Sequence, residues 1–169
     1  PRFNIDRFTV RGATLVTPLQ LATAMSGIAA RGLRPQPRLV QAVEDPTTKV
    51  RTPLEQSTKA PSGTYTPEQF ETMVRNLTDV VHGEGGTARG IGWNAPYKIA
   101  GKTGTAQVKG VGQAESYVES RTAEHLRDHA LFIAFAPVDD PQIAVAVIVE
   151  NGGHGGSVAA PIARKLMDQ

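Results

Sequence analysis

Two apolar runs in the C-terminal third of the chain place the tightest limit on its fold. His129 to Ala136 is almost continuously apolar, and Gln142 to Glu150 is dense in valine and isoleucine. Runs of this length without polar alternation suit strands buried on both faces. Pro137-Val138-Asp139-Asp140-Pro141 between them is turn chemistry, so the two runs are expected to pair as an antiparallel hairpin. Such strands need cover on both sides of their sheet. Segments 17–31, 66–82 and 157–168 can supply it as helices. In the first, Thr17 can cap and Pro18 fits the first helical position. Leu21, Met25 and Ile28 then form one apolar stripe, and Gly32 is a stop. In the second, Thr66-Pro67-Glu68-Gln69 reads as a capping box. Phe70, Met73, Val74, Leu77, Val80 and Val81 keep helical spacing up to Gly83. The expected class is α+β, an antiparallel sheet covered by helices on both faces.

The remaining segments say less. Residues 1–16 are mixed. Arg34-Pro35-Gln36-Pro37 must be extended. Leu39 to Val43 reads as a short strand, and 44–65 as loop with one edge strand near Val50. Gly83-Glu84-Gly85-Gly86-Thr87-Ala88 reads as a flexible connector; no strand precedes it and no Gly-Lys-Ser/Thr follows at phosphate-loop spacing, so a hinge fits better than a phosphate loop. Lys98 to Val108 is a strand candidate, and 109–128 is a long polar connection of the kind that is functional or disordered.

Composition serves mainly to exclude. A chain of 169 residues fits one domain or a large part of one. A net charge of +2 with both signs interspersed argues against a nucleic-acid or anionic-membrane surface. The absence of cysteine removes disulfides and thiolate metal sites. No apolar stretch approaches the roughly 20 residues that span a bilayer. The chain opens at Pro1, not Met, and is expected to be a piece of a longer polypeptide whose anchor lies upstream.

The chemistry centres on Lys102-Thr103-Gly104-Thr105. This run places an ammonium, two hydroxyls and an unobstructed backbone on one short strand. Such a set suits a site that holds a carboxylate beside a reacting carbonyl. The histidines offer less. His154, inside Gly-Gly-His-Gly-Gly, is expected to be structural or on the surface, beside glycines that permit a sharp strand-to-helix turn. His129 is expected to be packed and hydrogen-bonded. His82 and His125 have no metal-ligand spacing. Trp93 and Tyr97 are read as packing residues, with the wall of a substrate groove as the other possibility.

The flanks of the motif carry a resemblance. Ile99-Ala100-Gly101-Lys102-Thr103-Gly104-Thr105-Ala106-Gln107 resembles the third motif of class B penicillin-binding proteins, the monofunctional peptidoglycan transpeptidases. Thr17-Pro18-Leu19-Gln20-Leu21-Ala22 is similar to the helix after their second motif. His129 to Pro137 is similar to their next core strand. Val149-Glu150-Asn151-Gly152-Gly153-His154-Gly155-Gly156-Ser157 is most similar to the elongation-type subgroup. The likeness runs from about residue 9 onward.

The resemblance implies the C-terminal portion of a single transpeptidase domain over residues 1–169. A serine would attack the carbonyl of a D-Ala-D-Ala stem peptide and form an acyl-enzyme that a neighbouring amine resolves. Thr103 and Thr105 hydroxyls would hold the terminal carboxylate, with Lys102 adding charge and serving catalysis. Gly104 would let the substrate approach, and the Thr105 N–H would complete an oxyanion hole. No cofactor is implied. The implied partners are stem peptides on lipid-linked precursor strands, β-lactams and a membrane glycosyltransferase of the elongation machinery, at the periplasmic face of the bacterial inner membrane. The departures are equally plain. No Ser here has Lys three residues on, Ser57-Thr58-Lys59 has the wrong spacing, and no Ser-x-Asn exists. Near Val10-Arg11-Gly12-Ala13 the family shows Gly-Gln-Gly-aromatic, and only Gly12 agrees. The nucleophile is therefore expected upstream of residue 1. A non-catalytic β-lactam-sensing module, a division-type transpeptidase and a serine β-lactamase are the competing readings.

Overall fold

A computed structural model of the chain describes residues 8–10, 14–59, 65–108 and 122–169. In chain order the elements are β1 (Phe8–Val10), β2 (Thr14–Val16), α1 (Pro18–Ala29), β3 (Arg34–Pro35), β4 (Ala42–Glu44), β5 (Arg51–Pro53) and β6 (Thr58–Lys59). They continue with α2 (Pro67–His82), α3 (Arg89–Gly92), β7 (Ala100–Ala106), a short 3-10 turn (Glu124–Leu126), β8 (His129–Ala136), β9 (Ile143–Val149) and α4 (Ala159–Met167).

The two apolar runs become β8 and β9, paired antiparallel from Ala130↔Val149 to Ala136↔Ile143. β7 joins the other side of β8, from Ala100↔Phe135 to Ala106↔His129. The central sheet thus has the order β7-β8-β9. Its middle strand shows why both of its faces had to be apolar. Ala130, Phe132, Ala134 and Ala136 pack with Ala159, Ala160 and Ala163 of α4. Ile133 and Phe135, turned the other way, pack with Met25 of α1 and Val74 of α2. Phe132 and Phe135 are both fully buried. Each such side chain contributes about 1.5–3 kcal/mol by leaving water. Small residues on both α4 and this face of β8 let the helix lie close to the sheet around Phe132.

Both helix starts follow their sequence signals. Thr17 accepts from Gln20 N–H, and Gln20 accepts from Thr17 N–H. Thr66 and Gln69 repeat the arrangement at α2. These reciprocal bonds satisfy N–H groups that a helix end otherwise leaves open.

The structure departs from the sequence expectations in three places. The short strand begins at Ala42, not Leu39, which is 104% exposed. Its length is set by its partner: β5 pairs only Ala42↔Pro53 through Glu44↔Arg51. The Asp45 carboxylate then closes the turn by accepting from Thr47 and Thr48 N–H at 2.8 and 2.7 Å. Those bonds, chiefly from Thr48, hold its pKa below the ordinary carboxylate value. Second, the far end of the Gly83 to Ala88 connector is closely packed. Ala88 is buried and its N–H donates to Val80 carbonyl oxygen at 2.9 Å. A Cβ on Gly86 would lie 2.4 Å from that same oxygen. The glycine here permits close packing. Third, Trp93 is 71% exposed and packs in no core. Residues 11–13 and most of the 109–128 connection lie outside the described residues.

Candidate active site

β7 carries the motif, and it is an edge strand. Among the described residues β8 pairs with one side of it and no strand pairs with the other. Strand alternation places Thr103, opposite Phe132, and Thr105, opposite Ala130, on one face. Lys102, opposite Ile133, and Gly104, opposite Leu131, point to the other. The four residues therefore alternate between the two faces of the sheet. Only the length of the lysine chain returns its charge to the strand edge, where Nζ donates to the Thr103 carbonyl oxygen at 3.0 Å. Lys102 and Thr105 are exposed, while Thr103 and Gly104 are half-buried.

The surroundings of Thr103 are the part that sequence reading missed. Its Oγ1 lies 2.9 Å from Oγ1 of Thr87. On the same face, the loop between β9 and α4 packs directly on the motif backbone. A Cβ on Gly155 would sit 2.1 Å from Leu131 carbonyl oxygen and 2.6 Å from that of Gly104. A Cβ on Gly156 would sit 2.2 Å from the Thr87 carbonyl oxygen. The run of glycines after Asn151 does make the expected strand-to-helix turn, with Asn151 at φ 54 and Gly153 at φ 77. Its last two glycines also brace β7. Gly104 has a neighbour of its own, since a Cβ there would lie 3.2 Å from Leu131 Cβ.

The base of this loop is pinned by polar contacts. Asn151 N–H donates to His129 Nδ1 at 2.9 Å, and Asn151 Nδ2 donates to Arg127 carbonyl oxygen at 2.8 Å. Gly153 N–H donates to Asp128 carbonyl oxygen at 2.8 Å. Asp128 is buried, and its carboxylate accepts from Val108 N–H beyond the end of β7. His129 is thus the packed, hydrogen-bonded residue expected of it. His154 is exposed.

The entry to β7 is held as firmly. His82 Nε2 accepts from Ile99 N–H at 3.0 Å. Partial desolvation, then the charges of Lys98 and Arg164, lower the pKa of His82 and favour the neutral ring that this bond requires. Tyr97 donates to Asp168 Oδ1 at 2.5 Å, and Arg164 Nε meets both oxygens of Asp168 at 2.7 and 2.8 Å. Arg164 also donates to Ile91 carbonyl oxygen and stacks over the Tyr97 ring. This clasp ties α4 to the segment that leads into the motif, which assigns Tyr97 a packing role. Among the described residues no group of three or more His, Asp or Glu is placed to hold a metal.

The family model of the penicillin binding protein transpeptidase domain matches residues 4–168. The chain belongs to the penicillin-binding transpeptidase family. Peptidoglycan D,D-transpeptidase MrdA of Acinetobacter baumannii is 44% identical over 165 residues, which cover 94% of this chain and 23% of that relative. The chain thus spans about a quarter of this curated relative. Pseudomonas aeruginosa PBP2 in complex with WCK 5153 superposes with a TM-score of 0.72 at 36% identity, over 94% of this chain and 30% of that one. The imipenem acyl-enzyme complex of penicillin-binding protein A from Mycobacterium tuberculosis superposes with a TM-score of 0.70 at 27% identity, over 94% and 31%. The MrdA and PBP2 relatives fit the elongation-type resemblance, and the α+β layers described above are those of the penicillin-binding transpeptidase fold.

Proposed function

We propose that this chain is the C-terminal portion of the catalytic domain of a peptidoglycan D,D-transpeptidase and forms the substrate-facing wall of its cleft. One observation carries this reading: the Lys-Thr-Gly-Thr motif lies on a braced edge strand with one side unpaired by any described strand. An extended stem peptide can add along such an edge by backbone pairing. Its terminal carboxylate would then meet the hydroxyls of Thr103 and Thr105. The ammonium of Lys102, now resting on the Thr103 carbonyl oxygen, is close enough to turn toward the reacting centre.

The nucleophilic serine comes from outside this chain, since no Ser here has Lys three residues on. That serine attacks the penultimate D-Ala carbonyl, the terminal D-Ala leaves, and an amine from a second stem peptide resolves the acyl-enzyme. The Thr105 N–H supplies one oxyanion donor, and loss of such a donor typically costs about 10²–10³ in rate. β-Lactams acylate the same serine. The protein would act at the periplasmic face of the inner membrane, beside a glycosyltransferase that supplies the strands. No helix among the described residues is long and apolar enough to cross a membrane.

The test is Lys102→Met in the protein that carries this chain. Labelling by a fluorescent penicillin is expected to fall by about 10²–10⁴-fold, the usual worth of a positioned acid–base group. Labelling at the wild-type rate would remove Lys102 from the mechanism. A wild-type protein that takes no label at all would favour the non-catalytic module, and rapid release of the label would favour a β-lactamase.

A further inference from the structure

Thr87 precedes Thr103 by 16 positions, lies outside the motif, and shares a hydrogen bond of 2.9 Å between the two Oγ1 atoms in which either can donate. A threonine hydroxyl has one proton and two acceptor lone pairs. If Thr103 spends its proton on Thr87, none is left for a bound carboxylate. If Thr87 donates instead, the Thr103 proton is free to point at the anion, and the two bonds in series polarise each other. A carboxylate over Thr103 therefore selects the arrangement in which Thr87 is the donor.

The mount of Thr87 fits this task. On one side Ala88 is anchored to α2, its N–H on the Val80 carbonyl oxygen at 2.9 Å. On the other, the Thr87 carbonyl oxygen fills the space where a Cβ of Gly156 would be, 2.2 Å away. The Thr87 backbone is thus held between the end of α2 and the glycine loop, which fixes the position from which its side chain reaches Thr103. We propose that Thr87 is a positioning residue that orients the Thr103 hydroxyl toward the carboxylate of stem peptides and β-lactams. This rests on the reading that Thr103 holds that carboxylate.

Thr87→Val keeps the shape of the side chain and removes the donor; Thr87→Ser keeps the donor. Both are made in the complete protein, with Thr103→Val and the double variant Thr87→Val/Thr103→Val. Acylation is measured with a penicillin and with its methyl ester, which lacks the anion, and melting temperatures are recorded. Thr87→Val is expected to slow acylation by the free acid by about fivefold to thirtyfold, while the ester changes by less than about twofold. Thr87→Ser should restore the acid rate, and the double variant should be no slower than Thr103→Val alone. If valine lowers the melting temperature sharply, Thr87→Ala provides the same comparison. Equal losses for acid and ester would make Thr87 merely structural and overturn the proposal. If Thr103→Val erases the preference for the acid and Thr87→Val does not, the proposal fails while the carboxylate site stands. If Thr103→Val leaves that preference intact, the carboxylate site itself is wrong and Thr87 falls with it.

Discussion

Gly155 shows how little room the motif strand has on its inner face. Its missing Cβ would overlap two carbonyl oxygens, one on each of β7 and β8. Both belong to backbone, so neither can swing aside as a side chain would. Gly155→Ala is therefore expected to destabilise the protein by about 1–3 kcal/mol, the usual cost of overpacking, and to reduce acylation through displacement of β7. Thermal unfolding beside penicillin-labelling rates would check both effects; an unchanged melting temperature would show that the loop yields freely. Nothing in the sequence marks Gly155 off from the neighbouring glycines. The motif residues were legible because their types and order are themselves chemical. The contacts of Gly155 and Thr87 were not, because they exist only once distant segments fold onto β7.

At the scale of elements the sequence was most readable where local chemistry decides the outcome. The capping box of α2 is written in four adjacent residues, and its bonds form as expected. Thr66→Ala removes the side-chain acceptor for Gln69 N–H and should cost about 1 kcal/mol, within the range of about 0.5–2 for such caps. Urea unfolding of the wild type and the variant measures it, and a loss near zero would mean that packing of Val74 and Val81 alone fixes the helix start. β8 and β9 were equally plain, since only a strand covered on both faces tolerates so continuous an apolar run. Tertiary packing overrode the local signals elsewhere. The glycines after α2 look mobile in sequence, yet Gly86 is pressed against the Val80 carbonyl oxygen. Trp93, aromatic at the end of α3, stays in water, while Tyr97 makes the contact to α4 through Arg164 and Asp168.

At the scale of the molecule, the contacts around β7 join parts far apart in the chain, and one of them is sensitive to acid. His82 links the end of α2 to Ile99 at the start of the motif segment, and its pKa in the folded protein lies below the ordinary 6.5. The unfolded chain then binds the proton first as pH falls. The stabilisation from His82 is complete above about pH 6.5 and is lost as pH drops toward the lower folded value. The melting temperature of the wild type should decline through that window, and the decline should be shallower in His82→Gln. Parallel curves for the two proteins would show that His82 plays no part.

The unpaired side of β7 has a second meaning, for colloidal behaviour. A strand edge that no described strand pairs, and that would take up a substrate peptide in the function proposed above, could also serve as a template for another extended chain, including another copy of the same protein. The strand Ala-Gly-Lys-Thr-Gly-Thr-Ala answers this with composition: it has no large apolar side chain, two glycines of weak strand propensity, and a lysine whose ammonium sits over the backbone at the edge. The residues that suit β7 to hold a peptide briefly are the same ones that keep it from becoming the seed of a fibre.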